Sequence, residues 1–210
     1  MCCIFKEIIL KGDFMTVVNR HLKYLVLDTE TGGFSEKKHD MLSIGYIVTT
    51  KTLRVIEKGE ILVKGNPRRV TKGALKVNGI NLKEHNKVAL TKREAVKVLD
   101  KVISRHWEKK KPTLIGQNVP FDIRFMKVLY KVTRKEFTPD YTMIDLRSIW
   151  QGLIAFGKVT TANSKQDTIL DYLGKRSKRH SALVDAENVL KVLRRIKKYI
   201  NIIPRKLERS

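Results

Sequence analysis

Acid is scarce in this 210-residue chain: 21 aspartates and glutamates stand against 44 lysines and arginines, a formal net charge of +23 and an isoelectric point near 10.1. An excess of that size repels itself in the folded state, so an acidic partner is the economical explanation, nucleic acid ahead of an anionic membrane. The alternative is lysine-rich bias of the source genome, which spreads charge evenly, as much of it is spread here. Cysteine is limited to the adjacent Cys2 and Cys3, which excludes a disulfide framework or a zinc site. A reducing compartment follows, the cytoplasm, or a host cytoplasm if the source is viral. No apolar stretch approaches the roughly 18 residues of a membrane span, and the apolar segment 1–10 is broken by Lys6 and Glu7, so a soluble protein without a membrane partner is expected. Five prolines and twelve glycines leave little room for disordered linkers, and 42% hydrophobic residues suffice for one full core. We expect one domain over 21–200, an N-terminal extension 1–20 in which Met15 is an alternative start, and a basic C-terminal tail 201–210.

The scarce acids are not scattered. The apolar run Tyr24-Leu25-Val26-Leu27 leads into Asp28-Thr29-Glu30-Thr31-Gly32. In a strand alternate side chains share a face, so Asp28 and Glu30 point the same way at the rim of a buried strand. Two carboxylates so close repel each other, and a divalent cation with oxygen ligands is the usual remedy. By itself such a pair can equally be solvated acids before a glycine turn.

After Gly32 and Gly33 the chain is predicted to form strands over 41–50 and 53–63, antiparallel and joined by a short hairpin connection at Lys51 and Thr52. Pro67, Gly73 and Gly79 punctuate 66–86 into short helical turns. Thr91-Lys92-Arg93-Glu94 is a capping box opening a helix whose buried stripe is Val96, Leu99, Ile103 and Trp107. A strand over 113–116, a helix over 120–133, a strand over 143–145, a helix through Trp150 to 156, a basic loop 175–180 and a helix over 181–198 follow. Strands first, then helices alternating with short strands, predict an α/β protein with a mixed sheet flanked by helices.

Two further carboxylates fall on inward faces. Asp122 lies at a strand-to-helix junction with Pro120 in the first turn, and shares a helix face with Phe125, Met126 and Leu129. A first-turn aspartate can simply complement the helix dipole. Asp185 shares a face with Ala182, Val189 and Leu193 in the last helix, where an aspartate needs a partner. His180 precedes it by five positions, roughly 140° around a helix, so the two converge only if His180 sits outside the helix, on a loop.

Together the segments Asp28-Thr29-Glu30-Thr31-Gly32, Asn118-Val119-Pro120-Phe121-Asp122 and His180 through Asp185 resemble, in order, spacing and element type, the DEDDh branch of the DEDD exonuclease superfamily, which includes DnaQ-like proofreading subunits and ribonuclease T. The similarity covers about 23–193, and Ser43-Ile44-Gly45 and Val77-Asn78-Gly79-Ile80 look like the family's intervening segments. Gln117 stands where many relatives carry His, and Gly33 where many carry another turn residue. These departures bear on substrate preference and leave the metal ligands untouched.

The resemblance implies a ribonuclease H-like fold with a five-stranded mixed sheet and two-metal hydrolysis of a phosphodiester from the 3′ end, releasing nucleoside 5′-monophosphates. It implies two Mg²⁺, with Mn²⁺ as substitute, held by Asp28, Glu30, Asp122 and Asp185, and His180 as general base. Thr31, Gly32, Phe34, Asn118 and Phe121 are the candidates for holding the terminal nucleotide, Phe34 by stacking. The expected substrate is a single strand, DNA ahead of RNA. The alternatives are an exoribonuclease trimming RNA ends and a non-catalytic nucleic-acid binding module. A proofreading role would require a DNA polymerase on another chain.

Overall fold

The computed structural model describes residues 23–108, 110–175 and 181–200. Nine residues, Lys23–Thr31, form the central strand β1, whose run of Leu25, Val26 and Leu27 is buried because both faces of the sheet are covered. It pairs antiparallel with β2 (Met41–Thr50), which pairs antiparallel with β3 (Val55–Leu62). On its other side β1 runs parallel to β4 (Thr113–Gly116), and β4 runs parallel to β5 (Met143–Asp145). The result is the expected mixed sheet, in the order β3-β2-β1-β4-β5.

The connection from β3 to β4 carries a 3₁₀ turn, Pro67–Arg69, and helices α1 (Lys72–Asn78), α2 (Leu82–Val88) and α3 (Lys92–Trp107). Helix α3 opens with the predicted capping box: the Glu94 N–H donates to Thr91 Oγ1 and the Thr91 N–H to the Glu94 carboxylate, at 3.3 and 2.9 Å. Then come α4 (Val119–Lys131), α5 (Leu146–Ala155), α6 (Gln166–Tyr172) and α7 (Ala182–Ile200).

Alternation along the strands builds two cores. Leu25, Leu27, Ile44 and Leu114 pack on one face against Val96 and Leu99 of α3 and Phe125, Met126 and Leu129 of α4. Val26, Ile47 and Ile115 pack on the other against Trp150 of α5, Ile169 and Leu170 of α6, and Val189, Leu190 and Leu193 of α7. Helices from opposite layers therefore meet at one end of β1.

Two expectations need correction. The third strand begins at Val55 rather than at Leu53, and the connection is four residues long, 51–54. Leu53 adopts φ 68° and buries its side chain in the second core, which takes it out of the ladder. Helix α6 was not expected at all; at seven residues it buries only Ile169 and Leu170 and has no side-chain cap, so it leaves no helical period to read. The basic loop 176–180 with His180, the extension 1–20 and the tail 201–210 lie outside the described residues.

Candidate active site

The site is built at the end of β1. Because Thr29 stands between them, Asp28 and Glu30 project to the α7 side of the sheet while Thr29 projects to the α4 side. One oxygen each from Asp28, Glu30 and Asp185 lie within 4.8 Å of one another. What brings Asp185 there is a glycine. Gly45 is the β2 partner of Asp28, and a Cβ on it would lie 2.1 Å from the backbone carbon of Ala182. The first turn of α7 thus rests directly on the β2 backbone, one residue across from Asp28, which gives the segment Ser43-Ile44-Gly45 its physical meaning.

Asp122 reaches the same place from the opposite layer. It is 3% exposed on the first turn of α4, and Thr29 Oγ1 donates to its Oδ1 at 2.7 Å. Its oxygens are not among the three that cluster; it is fastened to the strand residue between two of them. Burial lifts the Asp122 pKa to about 7, against the lowering effects of the Thr29 hydroxyl and of nearby backbone N–H groups, with Asp145 adding to the rise. Burial first, then the charges of Asp122, Asp185, Glu30 and Glu60, hold Asp28 well above the usual carboxylate range. Three clustered acids with a fourth fastened beside them, Asp28 and Asp122 both desolvated, make a site that can bind protons or a hard cation with oxygen ligands.

The expected nucleotide-holding residues are distributed around this cluster. The Thr31 hydroxyl donates to the Gly33 carbonyl at 2.8 Å. Gly32 is buried under the 69–71 segment, where a Cβ would meet the Arg69 carbonyl at 2.6 Å. Phe34 is 90% exposed. Its loop is pinned by buried Asp40, which accepts from Arg69 Nε at 2.8 Å, Lys92 Nζ at 2.7 Å and the Asn66 N–H at 2.9 Å. Phe121 is partly buried against Phe125, and Arg124 lies over its ring at 5.7 Å while pairing with Glu36 of the Phe34 loop at 3.7 Å. Asn118 caps α4 in the left-handed region, φ 66°, with no side-chain capping bond.

Three contributors went unread in the sequence. Thr29 sits inside the first motif yet had no role until Asp122 met it. Asp145 ends β5 and caps α5, accepting from the Ser148 N–H with Oδ2, while Oδ1 accepts the N–H groups of Asn118 and Val119 at 2.6 and 3.2 Å. An aspartate before a helix with Ser three positions on is a capping signal that points to part of this. Gln166 Nε2 donates to the carbonyl oxygen and to Oδ1 of Asp185 at 3.1 and 3.2 Å, and nothing local in the sequence announces it.

The chain is similar to known nucleases in sequence and in fold. The family model RNase_T, described as exonuclease, matches residues 25–193. Ribonuclease T of Haemophilus influenzae (strain Rd) is 26% identical over 183 residues, covering 80% of this chain and 76% of the relative. Among solved structures, Escherichia coli exonuclease I with a dT13 oligonucleotide superposes with a TM-score of 0.71 at 16% identity, over 85% of this chain. This chain spans only 41% of that one. The nuclease domain of 3′hExo, a DEDDh family member bound to rAMP, gives a TM-score of 0.66 at 16% identity, covering 85% of this chain and 93% of the domain.

Proposed function

This chain belongs to the exonuclease family, and from that premise we propose that it is a DEDDh-type 3′-5′ exonuclease that hydrolyses single-stranded nucleic acid to nucleoside 5′-monophosphates. The observation that carries the reading is the convergence of Asp28, Glu30 and Asp185 within 4.8 Å, with Asp122 tied to the intervening Thr29. The donor set is all oxygen, which fits Mg²⁺, with Mn²⁺ as substitute. Bound there, two such ions would supply positive charge for the attacking and leaving oxygens of a phosphodiester displacement. Asp28, Glu30 and Asp185 would hold them together with Asp122.

The chain's own residues supply the rest. His180, assigned from its motif alone, takes the proton of the attacking water. Exposed Phe34 offers a face for stacking the terminal base, and Phe121, steadied by Phe125 and Arg124, lines the same approach. Thr31, Gly32 and Asn118 hold the backbone against which that nucleotide lies. Replacing His180 by Ala is expected to slow hydrolysis by roughly 10²- to 10⁴-fold while leaving substrate binding in Ca²⁺ intact. Native turnover in that variant would remove the His from the mechanism.

DNA is the preferred substrate in this reading, in keeping with the oligonucleotides held by exonuclease I. Trimming of RNA 3′ ends is the second reading, favoured by the likeness to ribonuclease T and by the rAMP bound to 3′hExo. Proofreading would add a polymerase on another chain. The deciding experiment digests matched 5′-labelled single-stranded DNA, duplex DNA and RNA with Mg²⁺. A ladder of progressively shorter labelled products is expected from a single strand, and the faster substrate decides between DNA and RNA. Binding without any product would instead identify a non-catalytic module.

A further inference from the structure

We infer that Gln166 is a positioning residue for Asp185, held in place by a braced segment, 161–168, that also ties the Asp185 side of the site to the Asp122 side. The inference rests on reading Asp185 as a metal ligand. Gln166 Nε2 has two hydrogens, and its contacts at 3.1 and 3.2 Å go to the backbone carbonyl and to Oδ1 of the same residue. Both partners are acceptors, so the amide must present its nitrogen; the flipped amide would set oxygen against oxygen. Gripping the backbone and the carboxylate of one residue together sets its side-chain torsions, which a single contact would leave free.

Asp185 needs such a grip because its neighbours repel it. Its oxygen stands within 4.8 Å of those of Asp28 and Glu30, and without a cation this repulsion favours any side-chain conformation that turns it away. A lysine in place of Gln166 would hold the carboxylate by charge and so compete with the cation. An amide is neutral: it orders Oδ1 and leaves the negative charge of Asp185 for the metal.

The donor itself is fixed. Asn163 Oδ1 accepts the Lys165 N–H and the Thr168 hydroxyl, both at 2.9 Å, which closes the turn leading into α6. Thr161 Oγ1 donates to the Asn163 carbonyl at 3.1 Å and accepts from Nε1 of the buried Trp150 at 2.9 Å. The Ser164 carbonyl accepts from Gln117 Nε2 at 2.7 Å, and Gln117 directly precedes the α4 cap. One segment therefore touches α5, the β4–α4 junction that carries Asp122, and Asp185 on α7. Gln117 thus anchors that segment to the β4–α4 junction.

The test is Mn²⁺ binding to the full-length protein, followed by the electron paramagnetic resonance signal of the free ion, with thermal unfolding in EDTA as a second readout. Gln166→Leu is expected to weaken Mn²⁺ binding by roughly 10- to 100-fold, the usual effect of losing a partner of a metal ligand. Gln166→Asn keeps the amide but shortens its reach, and is expected to fall between native and Leu. In an Asp185→Asn background, Gln166→Leu should have no further effect, because the residue acts through Asp185. A residue with only a structural role would lower the unfolding temperature and leave Mn²⁺ affinity alone. Native affinity in both Gln166 variants, or an equal loss in the Asp185→Asn background, would overturn the inference while the metal reading stands. A native protein that takes up no Mn²⁺ would overturn both.

Discussion

Asp122 keeps its proton to about pH 7 in the folded chain, against 3.8 for the free side chain, so between those values the folded state holds a proton that the unfolded state has released. The stability from this proton is complete below pH 3.8 and is lost as pH rises through 7. Asp28, raised by burial and by its acidic neighbours, acts in the same direction. Asp40 acts in the opposite direction: burial raises it, but Lys92, the Asn66 N–H and Arg69 bring it below 3.8, so its contribution is lost only as pH falls through that lower range. The metal-free protein is therefore expected to lose a few kcal/mol of stability from about pH 4 to about pH 8, measured as urea midpoints in EDTA. Asp122→Asn should flatten this slope and raise stability at the alkaline end while abolishing hydrolysis. Metal-free stability that climbs across the interval would contradict the assignment. Asp28→Ala should likewise remove activity at saturating Mg²⁺ without unfolding the chain.

At the scale of elements, two junctions carry the geometry. The α7–β2 crossing depends on Gly45, since a methyl there meets backbone, which cannot swing aside as a side chain can. Gly45→Ala is expected to cost about 3 kcal/mol or more and to lower activity beyond what lost stability explains, measured by denaturant unfolding beside single-turnover rates. The β4–α4 junction depends on Asp145, whose Oδ1 takes two backbone N–H groups and whose Oδ2 caps α5. Asp145→Ala should destabilise by about 1–3 kcal/mol through these unpaired donors, and should slow hydrolysis because Asp122 and Asn118 ride on that turn. Other elements were legible: β2, β4, β5 and the α3 capping box stand where apolar runs and cap residues put them. Short α6 and the turn at Leu53 were not, because both are stabilised by the core they enter rather than by their own sequence.

Over the whole molecule, the net charge of +23 sets how a polyanion is met. The described surface carries two cationic grooves, one lined by Lys127, Lys131, Arg134 and Lys135 at the end of α4, the other by Lys175, Lys191, Arg195 and Lys198 along α7. If the charge serves a single strand, binding by the Asp28→Ala protein should weaken with salt, with a log–log slope of about −0.7 per phosphate neutralised. A flat dependence would point to compositional bias. From sequence alone came the α/β class, the strand that carries Asp28 and Glu30 on one face, and the inward faces of Asp122 and Asp185, because periodicity and capping are properties of neighbouring residues. Only the tertiary structure decided that Thr29 fastens Asp122 across 93 residues of chain, that Gly45 seats the turn bearing Asp185, and that Gln166 grips it from 19 residues away. Such contacts join residues whose own segments fold without reference to each other, so no local pattern records them, and they exist only once the two layers close on the end of β1.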